Sequence, residues 1–263
     1  MNKQERLDVF KEELSFIKNP QYKLLAENIL ENVPQYFFEI PASTSGKYHP
    51  AISLGDGGLV RHTKMVAKLM ITLYNLKMWE FTDNQKDLLL IAAMSHDMIK
   101  KGDNKTAHTV KNHAEYAVAF VIKCIRNCII SNILPDTDNY FLDSENDIHK
   151  YLIMPIETHM GEWGEKDTVP VQYPTTEPDK LLHVCDYLAS KKFISIEITQ
   201  EEIQKTTPKT EDMTLGFGKY RDKTFQEVKQ IDLPYLKWCY NNLESEALRE
   251  KVTKFLKEEK LIK

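Results

Sequence analysis

The segment AAMSHDMIKKG ends an apolar run on His96 and Asp97, two side chains able to hold a metal ion in a stretch otherwise composed for burial. A charge taken out of water needs a partner. Neighbouring helical residues point about 100° apart, so this pair converges on one ion only if the ion lies against the helix surface. The remaining ligands must then come from elsewhere in the chain. Two candidates stand in apolar segments of their own: His62 in GGLVRHTKMV and Asp186 in LLHVCDYLASK. Imidazole with carboxylate suits several divalent ions. One or two of Mn²⁺, Fe²⁺, Co²⁺, Ni²⁺, Zn²⁺ or Mg²⁺ are expected, and the sequence does not choose among them.

Helices must carry these side chains, because a bundle can project ligands from facing helices into one core site. Apolar spacing of helical period covers residues 5–17, 22–30, 59–78, 84–99, 110–130, 148–158 and 178–193, with Asn19-Pro20 and Pro178 marking helix starts. Residues 33–58, rich in Pro, Gly, Ser and aromatic side chains, read as an ordered loop leading into the site. Residues 161–177 read as loop. Residues 194–212 alternate β-branched and charged residues, which suggests a short strand or an extended linker, with TTPKTED as the domain boundary. The fold class expected is mainly α: a bundle over residues 1–205 and a small C-terminal α(+β) module over 206–263, with helices near 234–241 and 245–259.

A chain of 263 residues can bury a core without disulfides or a structural metal. Its 42% hydrophobic and 28% charged residues are those of an ordinary soluble protein. Cys124, Cys128, Cys185 and Cys239 form no CxxC pair and read as reduced thiols, with Cys124 and Cys128 as small core residues. The N-terminus lacks the apolar core of a signal peptide, and no run of ~18 apolar residues could span a bilayer. A cytoplasmic protein without membrane contact is expected. The net charge of −4 speaks against a surface that grips nucleic acid throughout, since Lys and Arg drive phosphate binding, but leaves room for a local basic groove.

The order H…HD…D over roughly residues 48–192 resembles the HD-domain metal-dependent phosphohydrolase superfamily. The flanks YHP at 48–50, GGLVRH ending at His62, and LLHVCD ending at Asp186 are similar to HD-type 3′–5′ exoribonucleases and to the HD part of conjugative relaxases. The resemblance implies that His113 in KNHAEYA and His159 in ETHMGEW ligate a second metal. Related chains read HHG where this one has His159-Met160-Gly161, and HDIGK where it has His96-Asp97-Met98-Ile99-Lys100. The resemblance also implies catalytic roles for Asp97, as a carboxylate bridging two ions, and for Lys100, as the cation that neutralises phosphate. Lys101, Arg61 and His49 follow as candidates for binding the substrate or protonating its leaving group. His183, three residues before Asp186, is read as a neighbour of the site or a packing residue, and His108 and His149 as surface residues.

The segment LGFGKYRDKTFQEVKQIDLPYLKWC resembles one at the C-terminus of bacterial exonuclease X and of some phage DNA-processing proteins. Gly216, Gly218, Lys219, Tyr220, Lys223, Thr224, Phe225, Tyr235, Leu236 and Trp238 carry the likeness, and Asp222 stands where glycine is usual. Lys219, Tyr220, Arg221 and Lys223 combine cations with ring faces, as nucleic-acid binding requires. Tyr235 and Trp238 follow helical spacing and are expected to bury, at least in part, against Phe225 and Leu236. The two likenesses imply a phosphodiesterase acting on single-stranded RNA or DNA, in a phage or mobile-element setting by analogy. Two alternatives stay open: a hydrolase of nucleotides or cyclic dinucleotides, and a nucleic-acid-binding adaptor with a degenerate HD site.

Overall fold

A computed structural model describes residues 1–43, 46–47, 49–102, 109–135, 146–161, 173–194, 198, 202, 215, 217–243 and 245–262. All regular secondary structure among these residues is helical, so the chain is mainly α. It divides into two compact units, residues 1–208 and 209–263.

The first unit opens with α1 (Lys3–Val9) and α2 (Lys11–Phe16), where one helix over 5–17 was expected. They part at Phe10, which leaves helical geometry (φ −106°, ψ 19°) to bury its ring completely and stack on Phe37. Helix α3 (Pro20–Asn32) starts as its sequence demands, with Asn19 capping the N–H groups of Gln21 and Tyr22 and proline in the first turn. Two 3₁₀ turns, Gln35–Phe38 and Ala51–Ser53, then lead into α4 (Gly58–Leu73).

Helix α4 is buried over its first ten residues without interruption, from Gly58 to Ala67. α5 (Asp83–Ser95) is likewise buried from Asp87 to its end. Helices covered on all sides form the centre of a bundle, and here α4 packs against both α5 and α8. The cost of this burial is met locally for Lys64, which donates to Val9 O at 2.9 Å and pairs with Glu13 at 2.7 Å. Thr82 and Gln85 form a reciprocal capping box that starts α5.

Helix α6 (His113–Ile130) follows, then one π turn (His149–Ile153) running into α7 (Met154–Thr158), and α8 (Glu177–Ala189), capped by Thr176 and Asp179. Single π turns concentrate near functional sites because they re-aim side chains within a helix. Cys124, Cys128 and Cys185 are buried and free, and burial pushes the Cys124 thiol up to about 12, which suits inert core residues. The expected loop at 161–177 lies largely outside the described residues, as does the strand or linker at 194–212.

In the second unit, α9 (Phe225–Asn242) and α10 (Glu246–Glu258) enclose a core of Leu215, Phe225, Val228, Leu236, Cys239, Val252, Phe255 and Leu256. α9 begins nine residues before the expected helix at 234. It consists of two helical stretches joined at Asp232 (φ −154°, ψ 68°), and the first is announced by a capping box of Thr224 with Glu227.

Candidate metal centre

Five elements deliver the predicted ligands to one place. His62 lies on the second turn of α4, His96 and Asp97 follow directly on α5, His113 opens α6, His159 follows α7, and Asp186 lies within α8. The packing of α4 on α5 and α8, of α6 on α7, and of α7 on α8 closes these points around Asp97. The C-terminal end of α5 adds a partial negative charge there, which favours a cation.

Asp97 sits at the centre with its side chain 3% exposed, and its two oxygens face different partners. Oδ2 lies 3.6 Å from His96 Nε2 and 3.9 Å from His62 Nε2. Oδ1 lies 3.0 Å from His113 Nε2 and 3.8 Å from His159 Nε2. Asp186 completes the first side, its Oδ1 2.9 Å from His62 Nε2 and 3.7 Å from His96 Nε2. Ligand-type atoms of His62, His96 and Asp186 lie within 4.8 Å of one another, as do those of His96, Asp97 and His159.

Three imidazoles are held so that one nitrogen faces inward. Nδ1 of His96, His113 and His159 lies 2.9, 2.9 and 2.6 Å from the carbonyls of Ala93, Val110 and Ile156. A proton on Nδ1 donates to that carbonyl and leaves Nε2 as an inward lone pair, the arrangement that orients metal-binding histidines. The Nε2 atoms of His96, His113 and His159, and Oδ1 of Asp97, are buried without a hydrogen-bond partner. Buried polar atoms are rarely left so. Four of them in one cluster, all nitrogen or carboxylate oxygen, are the donor set a divalent cation takes, so these residues fit the expected metal.

Electrostatics agree with a cation site. Burial would raise the Asp97 carboxyl, but the ammonium of Lys100 beside it holds it well below the usual carboxylate range. Burial is likewise outweighed at Asp186 by His62 and His96. Burial, then the nearby His62 and Lys100, lower the His49 imidazole to about 4. Its ring centroid lies 5.3 Å from that of His62. Asp186 and Lys100, with side chains 24% and 12% exposed, form the part of the cluster that meets solvent.

Arg61, a candidate for binding substrate, is buried. Its guanidinium donates to the carbonyls of Ile52 (2.7 Å) and Leu54 (3.0 Å), pinning the loop that precedes α4. The same junction needs Gly58, where a Cβ would lie 2.3 Å from Ser53 O. Lys101 is half-buried, with its backbone N–H donating to the Tyr36 hydroxyl at 3.4 Å. Tyr48 and His108 lie outside the described residues.

His183 has a role that the sequence only hinted at by its spacing from Asp186. Its Nδ1 lies 2.6 Å from the carbonyl of His159, tying α8 to the end of α7. Gly161 (φ +52°) makes room for it, because a Cβ there would lie 2.9 Å from the His183 ring.

In the second unit, Lys219 pairs with Asp232 at 2.7 Å. Tyr220 donates to the same carboxylate at 3.1 Å, and Arg221 is exposed while Lys223 is half-buried. Trp238, expected to bury at least in part, is 53% exposed, while Leu236 and Cys239 take the core face of α9.

Compared with known proteins, the chain matches no curated protein and no solved structure. Over residues 215–244 it is similar to the family described as exodeoxyribonuclease X-like C-terminal, a nuclease-related module.

Proposed function

We propose that this protein is a metal-dependent phosphohydrolase of the HD type that cleaves single-stranded nucleic acid. The observation that carries the reading is Asp97, which offers one oxygen to the side of His62, His96 and Asp186 and the other to that of His113 and His159. On this reading His62, His96 and Asp186 would hold one divalent ion and His113 and His159 a second, with Asp97 able to contribute to each. Bound ions of this kind supply an activated water at neutral pH and neutralise phosphoryl charge.

The chain's own residues supply orientation, charge and exclusion of water. The carbonyls of Ala93, Val110 and Ile156 fix the three imidazoles before any ligand arrives, so little reorganisation accompanies binding. Lys100 places its ammonium group beside Asp97 at the solvent-facing edge, where it can neutralise an entering phosphodiester. His49 flanks the same edge and serves as a hydrogen-bond partner for substrate, and Lys101 extends the positive turn. The likeness of residues 215–244 to a nuclease-related module favours a nucleic-acid substrate over a free nucleotide.

The test is incubation with 3′- and 5′-labelled single-stranded RNA and DNA, nucleotides and cyclic dinucleotides, in Mn²⁺, Mg²⁺, Ni²⁺ or EDTA, with Asp97→Ala as control. Metal-dependent shortening of a strand, lost in the variant, is the expected result. Turnover of a small molecule with strands intact replaces the nuclease by a nucleotide hydrolase, and no turnover of any substrate overturns the enzyme reading.

A further inference from the structure

We propose that the C-terminal unit holds single-stranded nucleic acid by stacking a base on the exposed indole of Trp238, with the Tyr235 ring as its backing. The inference names how a strand is held, and rests on the nucleic-acid reading above only for the class of ligand.

The residues that build this ledge are nearly all committed to it. Gly218 takes φ +64°, and a Cβ there would lie 2.2 Å from the Tyr235 hydroxyl, so glycine is what lets the tyrosine approach. Asp232 breaks α9 and accepts the N–H of Tyr235 at 3.1 Å, starting the second stretch of helix. The same carboxylate accepts from Lys219 and Tyr220, while Lys219 Nζ lies 4.7 and 5.2 Å above the Tyr220 and Tyr235 rings. Tyr220 meets Tyr235 edge-on at 5.2 Å. All of this fixes one ring, Tyr235, against which Trp238 lies nearly parallel (5.9 Å, 21°).

The indole itself does not serve the core. Leu236 and Cys239 are fully buried on either side of it in sequence, whereas Trp238 is 53% exposed. A large ring backed on one side and open on the other is a stacking platform, and every base has a π-face to offer it.

Charge selects the occupant. Between Phe217 and Leu243 there are five Lys or Arg residues against three Asp or Glu, in a chain whose net charge is −4. Arg221 and Lys237 are exposed and make no ion pair among the described residues. A polyanion with unstacked bases satisfies both features at once; an apolar peptide would satisfy only the ring.

The experiment measures binding of a fluorescein-labelled oligothymidylate to the full chain by anisotropy, in EDTA so that no strand is cut. Trp238→Ala is expected to weaken binding about tenfold, within the range for loss of one base–aromatic stack, and Trp238→Phe to retain most of it. The wild type should bind an abasic strand of equal length as weakly as Trp238→Ala binds the oligothymidylate. Hydrolysis of bis(p-nitrophenyl) phosphate in Mn²⁺ should be the same in all three proteins. Equal affinity of wild type and Trp238→Ala, equal affinity for abasic and base-bearing strands, or no strand binding by the wild type overturns the inference. A strand that is bound but never cut leaves it standing while the nuclease reading falls.

Discussion

Lys100 Nζ lies 2.5 Å from Oδ2 of Asp97, with the two side chains 12% and 3% exposed. The pair joins the most enclosed carboxylate of the cluster to a cation at its open edge, and the two members should fail differently when removed. Asp97→Ala deletes an oxygen from each proposed ion, so metal content and turnover should both fall, turnover by more than ~100-fold. Lys100→Met leaves every ligand in place, so metal content should persist while turnover falls ~10²–10³-fold, the loss typical of one preorganised electrostatic contact. Elemental analysis of the dialysed proteins beside a turnover assay separates the two, and an Asp97→Ala protein that keeps its metal would sink the site.

His183 should act through His159 without touching substrate. His183→Ala frees the His159 carbonyl and loosens the link between α7 and α8, and a lost outer partner of this kind weakens metal binding ~10–100-fold. Gly161→Ala should reproduce the defect from the other side, because its Cβ meets the ring at 2.9 Å and its φ is +52°. Titration with Mn²⁺ followed by calorimetry checks both, and His183→Asn, which keeps a donor, should recover part of the affinity.

Arg61 is buried with its guanidinium on two carbonyls, so a change there should register in stability. Its two carbonyl contacts depend on the planar fork of a guanidinium, which lysine cannot reproduce. Arg61→Lys is expected to destabilise the fold by about 1–3 kcal/mol, the cost of leaving a buried hydrogen-bonding group unmatched. Urea unfolding measures this. An unchanged midpoint together with a raised KM would return Arg61 to the substrate.

Acid should weaken the second unit at Asp232. The hydrogen bond from Lys219, aided by Tyr235 and Tyr220, outweighs burial and holds this carboxyl below its ordinary value. A folded-state value below the unfolded one, about 3.9, means that the contribution is complete above that pH and is lost as pH falls through the folded value. Asp232→Asn should flatten this part of the acid profile. The exchange rate of the Tyr235 amide against pH reports it, and identical profiles in the two proteins would exclude the role.

Much of the arrangement was legible in residue types and order. His62, His96, Asp97 and Asp186 interrupt apolar segments where burial of a polar group demands a reason, and the helical period of those segments located α3 to α8 to within a few residues at most ends. The break at Phe10 was not legible, because periodicity continues across it and only the ring of Phe37 rewards leaving the helix. The start of α9 was legible in Thr224 and Glu227, but the separate stretch beyond Asp232 carries the stronger apolar signal.

The sequence by itself determined which side chains could ligate, that helices carry them, and that a glycine and aromatic cluster begins the second unit. Tertiary structure alone decided which nitrogen of each histidine faces inward, since that depends on a carbonyl three residues back lying within reach of Nδ1. It also divided the two oxygens of Asp97, spent Arg61 on the carbonyls of Ile52 and Leu54, and left Trp238 half exposed against the Tyr235 ring. Spacing along a helix states which face a residue occupies. Whether that face meets a core, a partner or water is set by elements distant in the chain.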